Sequence, residues 1–169
     1  PGSLTNKSGV LYFSATDGTN GQELWKSDGT VSGTQLVKDI YAGPNHSLLL
    51  NMVNVNDVLY FSATTSANGA ELWKSDGTAA GTVLVKDIYT GSNNSAPQNL
   101  TSVNALLYFT ATDGISGIEL WKSDGTAAGT VMLKDIYTGS TASSPQFLTN
   151  VNGVLYFRAT DPDNGTELW

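Results

Sequence analysis

The chain has 169 residues, of which 40% are hydrophobic and 14% charged, and it contains 18 glycines and no cysteine. Its net charge of −7 disfavours nucleic acid and anionic membrane surfaces as partners. Without cysteine there is neither a disulfide framework nor a cysteine-ligated metal centre. No apolar run approaches the roughly 20 residues that a membrane-spanning helix needs.

A repeat of 48 residues runs through the whole chain without a gap. It divides the chain into three whole units, residues 1–48, 49–96 and 97–144, and a partial fourth unit, residues 145–169. We treat residues 1–169 as a single repeat domain. The aromatic residues that recur at this interval are Trp25, Trp73, Trp121, Trp169, Tyr12, Tyr60, Tyr108 and Tyr156.

Each unit is predicted to form four short strands, and the third unit serves as the example. Its first strand covers residues 100–103 and is joined by an Asn104-Ala105 turn to a second strand, residues 106–112. The corresponding turn in the fourth unit is Asn-Gly, a strong hairpin signal. The third and fourth strands are predicted at residues 119–122 and 131–136, followed by a polar connection to the next unit.

A four-stranded antiparallel unit that repeats every 40 to 50 residues or so is typical of a β-propeller blade. The sequence therefore predicts an all-β, propeller-like array with about 3.5 blades in this chain. The recurring tryptophans and tyrosines are predicted to fill the space between neighbouring blades, because a small sheet buries both faces only by stacking. Since closed propellers have roughly four to eight blades, we expect the chain to be part of a larger ring or array, or to assemble with other copies. An elongated stack of sheets remains an alternative.

The polar residues of the repeat have structural interpretations. Each recurring aspartate precedes a glycine, where its side chain can accept backbone N–H groups and stabilise a tight turn. These turn residues are Asp28, Asp76, Asp124, Gly29, Gly77 and Gly125. If the third strand pairs its tryptophan with the residue two before the lysine, Glu23, Glu71 and Glu119 lie opposite Lys38, Lys86 and Lys134. The sequence then predicts cross-strand ion pairs.

The octapeptide Glu-Leu-Trp-Lys-Ser-Asp-Gly-Thr occurs at residues 23–30, 71–78 and 119–126, each time followed by Gly-Thr and Lys-Asp-Ile. This pattern resembles the ELW–DGT repeat family of bacterial proteins and covers essentially the whole chain. The resemblance implies a large secreted or cell-surface bacterial protein whose repeats build propeller-like β-domains. It implies no reaction and no ligand.

Candidate sites for metal ions or catalysis are few. Asp161 and Asp163 lie in an Asp-Pro-Asp-Asn-Gly segment that resembles the start of a calcium loop, although the distal acidic ligands are missing. Calcium is therefore the only cofactor considered, and the expectation is that there is none. His46, the single histidine, does not recur in the other units. We expect no enzymatic activity, because near-identical units favour multivalent binding over one asymmetric catalytic pocket.

The sequence thus favours a non-enzymatic extracellular module with a structural or adhesive role. Its contact surface would be the variable loops at residues 17–21, 65–69, 113–117 and 161–165, where many weak contacts add up. Its partners would be further blades or other copies, and a glycan or another cell-surface ligand. One alternative is a glycan-binding lectin that also uses Tyr41, Tyr89 and Tyr137, and another is a subunit of a self-assembling filament.

Overall fold

The computed structural model describes residues 1–169, and its strands form one antiparallel sheet for each repeat unit. The first sheet contains β1 (Gly2–Lys7), β2 (Val10–Ala15), β3 (Glu23–Ser27) and β4 (Gln35–Lys38). The second contains β5 (Leu50–Val55), β6 (Val58–Thr65), β7 (Gly69–Ser75) and β8 (Val83–Lys86). The third contains β9 (Gln98–Val103), β10 (Leu106–Thr112), β11 (Ile118–Ser123) and β12 (Val131–Lys134). The fourth contains β13 (Gln146–Val151), β14 (Val154–Asp161) and β15 (Gly165–Leu168).

Within each sheet the strands lie side by side in chain order, and every neighbouring pair is antiparallel. The prediction of an all-β chain built from small antiparallel sheets is therefore confirmed. The second strand of the third unit has the predicted bounds, whereas the first begins two residues earlier, at Gln98, and the fourth ends at Lys134. No helix in the structure has the length and apolar character needed to cross a membrane.

Two-residue turns join the first and second strands of every unit, and both residues of each turn have positive φ. The values are 48° and 59° at Asn56 and Asp57, and 48° and 68° at Asn104 and Ala105. Positive φ at both positions matches the right-handed twist of the flanking strands, which is why such turns are common in hairpins. The turn that was predicted from the sequence is present even where neither residue is glycine.

The predicted Glu–Lys ion pairs are wrong, because a register shift separates the two residues. Trp25 does pair with Leu36, as the prediction assumed, but the register shifts before the next pair. Lys38 consequently lies opposite Leu24. The same shift separates the glutamate from the lysine in the second and third units, at Glu71 and Lys86 and at Glu119 and Lys134. The glutamates are fully buried and accept backbone N–H groups instead.

The hydrophobic core lies between the sheets. Residues of the first unit form one cluster with residues of the second, and residues of the second form another with residues of the third. The second sheet therefore buries both faces: Leu59, Phe61 and Trp73 belong to the cluster shared with the first unit, and Tyr60 and Leu72 to the cluster shared with the third. Alternation along β6 explains this division, because successive side chains of a strand point to opposite faces.

Neighbouring sheets approach each other most closely at their first strands. The backbone of β5 lies near those of β1 and β9, and β13 lies near β9. Side chains bond across this approach: the Thr5 hydroxyl of β1 donates to Met52 O of β5 at 3.1 Å, and Asn51 Nδ2 of β5 donates to Pro97 O, just before β9, at 3.2 Å. The sheets therefore converge along their first strands.

Candidate functional site: the joints between repeat units

Aromatic side chains of two consecutive units meet at the interface between them, which we call a joint. Trp73 of the second unit is buried in the cluster that contains Tyr12 of the first, and Trp121 is buried with Tyr60 in the next joint. In this arrangement the tyrosine faces the following unit and the tryptophan faces the preceding one. Elsewhere the same residue types are less covered: Trp25 of the first unit is partly buried and Tyr156 of the fourth is exposed. Tyr108 and Trp169, at the equivalent positions of the third and fourth units, are partly buried.

A tyrosine–glycine contact explains why the Asp-Gly turn needs its glycine in the second and third units. Gly77 has a φ of 99°, and a Cβ placed on it would lie 2.1 Å from Tyr12 Oη of the preceding unit. Gly125 has a φ of 88°, and its Cβ would lie 2.3 Å from Tyr60 Oη. Both the backbone conformation and the close approach therefore require glycine. The equivalent Gly29 has a φ of 92° and nothing within 4 Å of such an atom.

Lysines cross the joint between the first and second units and the joint between the second and third units, and they bind carbonyl oxygens of the following unit. Lys26 Nζ donates to Gly77 O at 3.0 Å, and Lys38 Nζ donates to Thr82 O at 2.7 Å. The pattern repeats in the next joint with acceptors Gly125 and Thr130, at 2.8 and 2.7 Å from Lys74 and Lys86 respectively. Each lysine therefore contributes a charge-assisted hydrogen bond to the joint. Residues of the Asp-Gly turn are thus acceptors for the preceding unit.

A buried glutamate holds the segment that leads from one unit to the next. Glu71 accepts the N–H groups of Ile88 and Ser95, at 2.9 and 3.2 Å, together with the Ser95 hydroxyl at 2.6 Å. The carbonyl of Ser95 in turn accepts the N–H of Thr112 in the third unit at 3.0 Å. The glutamate therefore fixes the residue whose carbonyl pairs with the next sheet. Glu23 and Glu119 likewise accept the N–H groups of Ser47 and Ser143. The Ser143 hydroxyl also donates to Glu119, whereas the Ser47 hydroxyl donates to Gln22 O.

Burial raises the pKa of Glu71 and of Glu23 above the ordinary value of 4.5, and the hydrogen bonds described above offset only part of that rise. The pKa of Tyr60 is raised as well, first by burial and then by the negative charge of Asp124 in the next unit. The pKa of Tyr60 thus responds to packing between units, because the charge that acts on it belongs to the following unit.

The recurring aspartates form the predicted turns. Asp76 Oδ1 accepts the hydroxyl of Thr78 at 2.7 Å and its N–H at 2.8 Å, and the two bonds lower the pKa of this carboxyl. A Cβ on Gly81 would lie 2.2 Å from the same carboxylate, which explains the second glycine of the motif. The geometry repeats at Asp28 and Asp124. All three aspartate side chains therefore stabilise their own turn.

The hairpin loops use their aspartates in the same way. Asp161 Oδ1 accepts the N–H groups of Asp163 and Asn164 at 2.9 and 2.6 Å, while Asp163 itself is exposed. No three His, Asp or Glu side chains come close enough to share a metal ion.

His46 accepts the N–H of Gln22 through Nδ1 at 2.8 Å. Tyr89 packs over Gly114 in the loop of the next unit, where a Cβ would lie 2.3 Å from its ring.

The sequence analysis missed two components of the joint, although both recur every 48 residues. The first is the buried serine at Ser47, Ser95 and Ser143, which lies in a connection that we treated only as a polar linker. The second is the cross-unit lysine, which pairing within one sheet did not suggest. The recurrence of both residue types was a usable signal. Their partners were not visible, because those partners are backbone atoms of other segments.

The fold defines an all-β protein made of four antiparallel sheets of three or four strands. No family model matches the chain, and no curated protein matches it. Among solved structures it is similar to one from an analysis of two prolyl endopeptidases, with 14% identity, a TM-score of 0.50 and 95% of this chain covered. It is also similar to the computationally designed protein Ika8, with 18% identity, a TM-score of 0.48 and 98% covered.

A third similar structure is an α-L-arabinofuranosidase from Clostridium thermocellum, with 18% identity, a TM-score of 0.37 and 92% of this chain covered. The chain spans only 24%, 44% and 59% of the prolyl endopeptidase structure, Ika8 and the arabinofuranosidase, respectively. At this level of identity the similarity to the prolyl endopeptidase structure concerns the fold alone.

Proposed function

We propose that the 48-residue units stack as consecutive blades of a propeller-like array. The observation that supports this most directly is the convergence of the sheets at β1, β5, β9 and β13. Blades of a propeller likewise surround a central axis. The two aromatic clusters, each shared by consecutive units, are consistent with the same arrangement.

The function that we propose is that of a non-enzymatic structural module. The repeated polar residues support it, because they act on the protein itself: the glutamates bind the connecting segments, the aspartates bind their own turns, and the lysines bind the next unit. A repeat in which these glutamates, aspartates and lysines are engaged in this way serves to hold its units in register. The resemblance to ELW–DGT repeats adds the proposal that the module belongs to a secreted or cell-surface bacterial protein.

The adhesive part of the proposal concerns the four hairpin loops, at residues 17–21, 65–69, 113–117 and 161–165. They differ in sequence while the units that carry them are nearly identical. Stacked units would present these loops at a regular spacing, so that weak contacts with a cell-surface ligand add up geometrically. Rigid scaffolds commonly carry variable binding loops in this manner.

Two measurements on the purified chain test the proposal. Small-angle X-ray scattering should fit a curved particle of stacked blades, and data that fit only an elongated or beaded particle would contradict the architecture. A screen with glycosidase and peptidase substrates should show no turnover. Turnover that disappears in an Asp161→Asn/Asp163→Asn variant, but not in a matched Asp28→Asn variant, would replace the structural module with an enzyme.

Adhesion is tested separately with the chain displayed at high density on beads. Binding to cell-wall polysaccharide should rise steeply with the density of display, as avidity requires. Strong binding by the monomeric chain to one defined glycan would favour the lectin alternative. Absence of binding at every density would limit the function to that of a structural spacer.

A further inference from the structure

An open cavity of about 360 Å³ lies beside the joint between the second and third units, and we call it the joint cavity. Ser62 and Thr64 of β6 line it on one side, and Ala96 and Pro97 of the connection to β9 line it on another. Its lining residues fall between positions 48 and 98, so sheets of this chain both precede and follow it. Small-molecule sites in proteins have volumes of about 300–1,000 Å³, and the joint cavity is therefore large enough for a ligand the size of a monosaccharide.

A short side chain at one repeat position accounts for the open space in the second unit. Ala70 lines the joint cavity, whereas the equivalent positions of the first and third units carry Gln22 and Ile118. Gln22 Nε2 donates to Ser14 Oγ at 3.3 Å. Ser62 is the equivalent of Ser14 and is only 5% exposed, but the methyl group of Ala70 offers it no such donor. The first unit thus fills with its own amide a position that the second unit leaves open.

The polar groups of the joint cavity are neutral and favour an amide as their partner. Asn94 Oδ1 accepts the N–H of Ala70 at 2.7 Å, which leaves the Nδ2 group of Asn94 as a donor. The Ser62 hydroxyl can accept or donate. No charged side chain lines the cavity, and Leu48 and Leu50, which are 53% and 57% exposed, contribute apolar surface. An ionised ligand would lose its hydration there without a counter-charge, so the ligand that fits is neutral.

We propose that the joint cavity binds the acetamido group of a neutral N-acetylated hexosamine. An acetamido N–H can donate to Ser62 Oγ, as the Gln22 amide does to Ser14, while its carbonyl accepts from Asn94 Nδ2 and its methyl group meets Ala70. The remaining volume suits a hydroxylated ring, which would meet the polar side chains of Thr64 and Gln98. The inference goes beyond the proposed structural role and does not use the hairpin loops. For a ligand of this size, we expect a dissociation constant on the order of millimolar.

Titrations followed by nitrogen–proton NMR of the labelled chain test the ligand class. N-acetylglucosamine should shift the backbone signal of Ala70 and the side-chain amide signals of Asn94, with saturation in the millimolar range. Glucose has the same ring without the acetamido group and should bind at least about fivefold more weakly, because it loses both amide hydrogen bonds. N-acetylglycinamide carries the acetamido group without the ring and should also bind more weakly than the sugar. Equal or tighter binding of N-acetylglycinamide would overturn the hexosamine as the ligand class.

Two variants test the site itself with N-acetylglucosamine. Ala70→Gln introduces the side chain of the first unit and should weaken binding about tenfold or more, because it fills the space and occupies Ser62. Asn94→Asp keeps the oxygen that accepts the N–H of Ala70 but removes the donor, and it should weaken binding about fivefold or more. The matched control is Ala79→Gln, since Ala79 is exposed and lies outside the cavity lining, and it should bind like the parent chain.

The dispersion of the NMR spectra shows whether each variant is folded. The inference is overturned if the parent does not bind N-acetylglucosamine, if glucose binds as tightly, or if a folded Ala70→Gln variant binds like the parent. If Ala70→Gln does not fold, Asn94→Asp decides, and parent-like binding by that variant overturns the inference.

Discussion

One leucine occurs at the same position of all four units, and the structure predicts very different costs for removing it. Leu24 and Leu72 are 0% exposed, whereas Leu168 is 75% exposed. We compare Leu72→Ala with Leu168→Ala. The substitution is the same, but Leu72 lies in the inner strand β7 and Leu168 in the edge strand β15 of a three-stranded sheet. The difference therefore measures what the fourth strand and the next unit contribute together.

The magnitudes follow from burial. Replacing leucine by alanine removes three carbon atoms, which at about 0.8 kcal/mol each amounts to about 2.4 kcal/mol of transfer free energy for the fully buried Leu72. The cavity that remains adds about 1 kcal/mol, for a total of about 3–4 kcal/mol. Leu168 is 75% exposed, so only about a quarter of the transfer free energy applies to it and its removal leaves no cavity. Leu168→Ala should therefore cost about 0.6 kcal/mol.

The assay is urea-induced unfolding at low protein concentration, followed by tryptophan fluorescence and by hydrogen exchange. Exchange is needed because stacked repeats can unfold in parts. Leu24→Ala is a control for which face of the unit is buried. Leu24 lies in the first unit and faces the second, so Leu24→Ala should cost as much unfolding free energy as Leu72→Ala. Equal losses at Leu72 and Leu168, or a small loss at Leu24, would refute the assignment of the two faces.

Two further predictions concern the polar part of the joints. In Glu71→Gln the amide NH2 faces backbone N–H donors, so the variant should lose about 2 kcal/mol of unfolding free energy. Because burial raises the pKa of Glu71, its contribution to stability is fully present below about pH 4.5 and decreases as the pH rises through the raised value. Urea unfolding between about pH 4.5 and 8 should therefore show a free energy of unfolding that falls with pH in the parent chain, and this slope should be smaller in Glu71→Gln. A steeper slope in the variant would contradict the assignment. Lys86→Met should cost about 1–2 kcal/mol by the same assay, since it loses the bond to Thr130 O and retains the apolar stem. Lys134→Met, which has no cross-unit carbonyl, should cost less, and equal costs would argue against the lysine bridge.

Local chemistry allowed most of the strand pattern to be predicted. The Asn104-Ala105 turn and the strand of residues 106–112 follow from residue types that prefer positive φ or a pleated backbone, and such preferences act within a few residues. The turn aspartates were also accessible, because Asp76 and Thr78 are two residues apart and bond to each other directly.

The roles of the glutamate and the lysine were decided only by the tertiary structure. The sequence predicted an ion pair between Glu71 and Lys86 because it assumed that the two strands pair without a register shift. The shift at Leu72 separates them, so that Lys86 bonds to Thr130 O in the following unit and Glu71 bonds to its own connecting segment. A carboxylate or an ammonium group bonds to whatever donor or acceptor folding brings near it, and here most of those are backbone groups.

The 48-residue period, the four-strand unit and the turn chemistry were determined by the sequence alone, because each depends on neighbouring residues. Which face of a unit meets which was determined by stacking: Phe61 packs with Tyr12 of the preceding unit, and Tyr60 packs with Trp121 of the following one. Near-identical motifs in successive units cannot encode these partners, because the partners belong to other segments of the chain that only folding brings near.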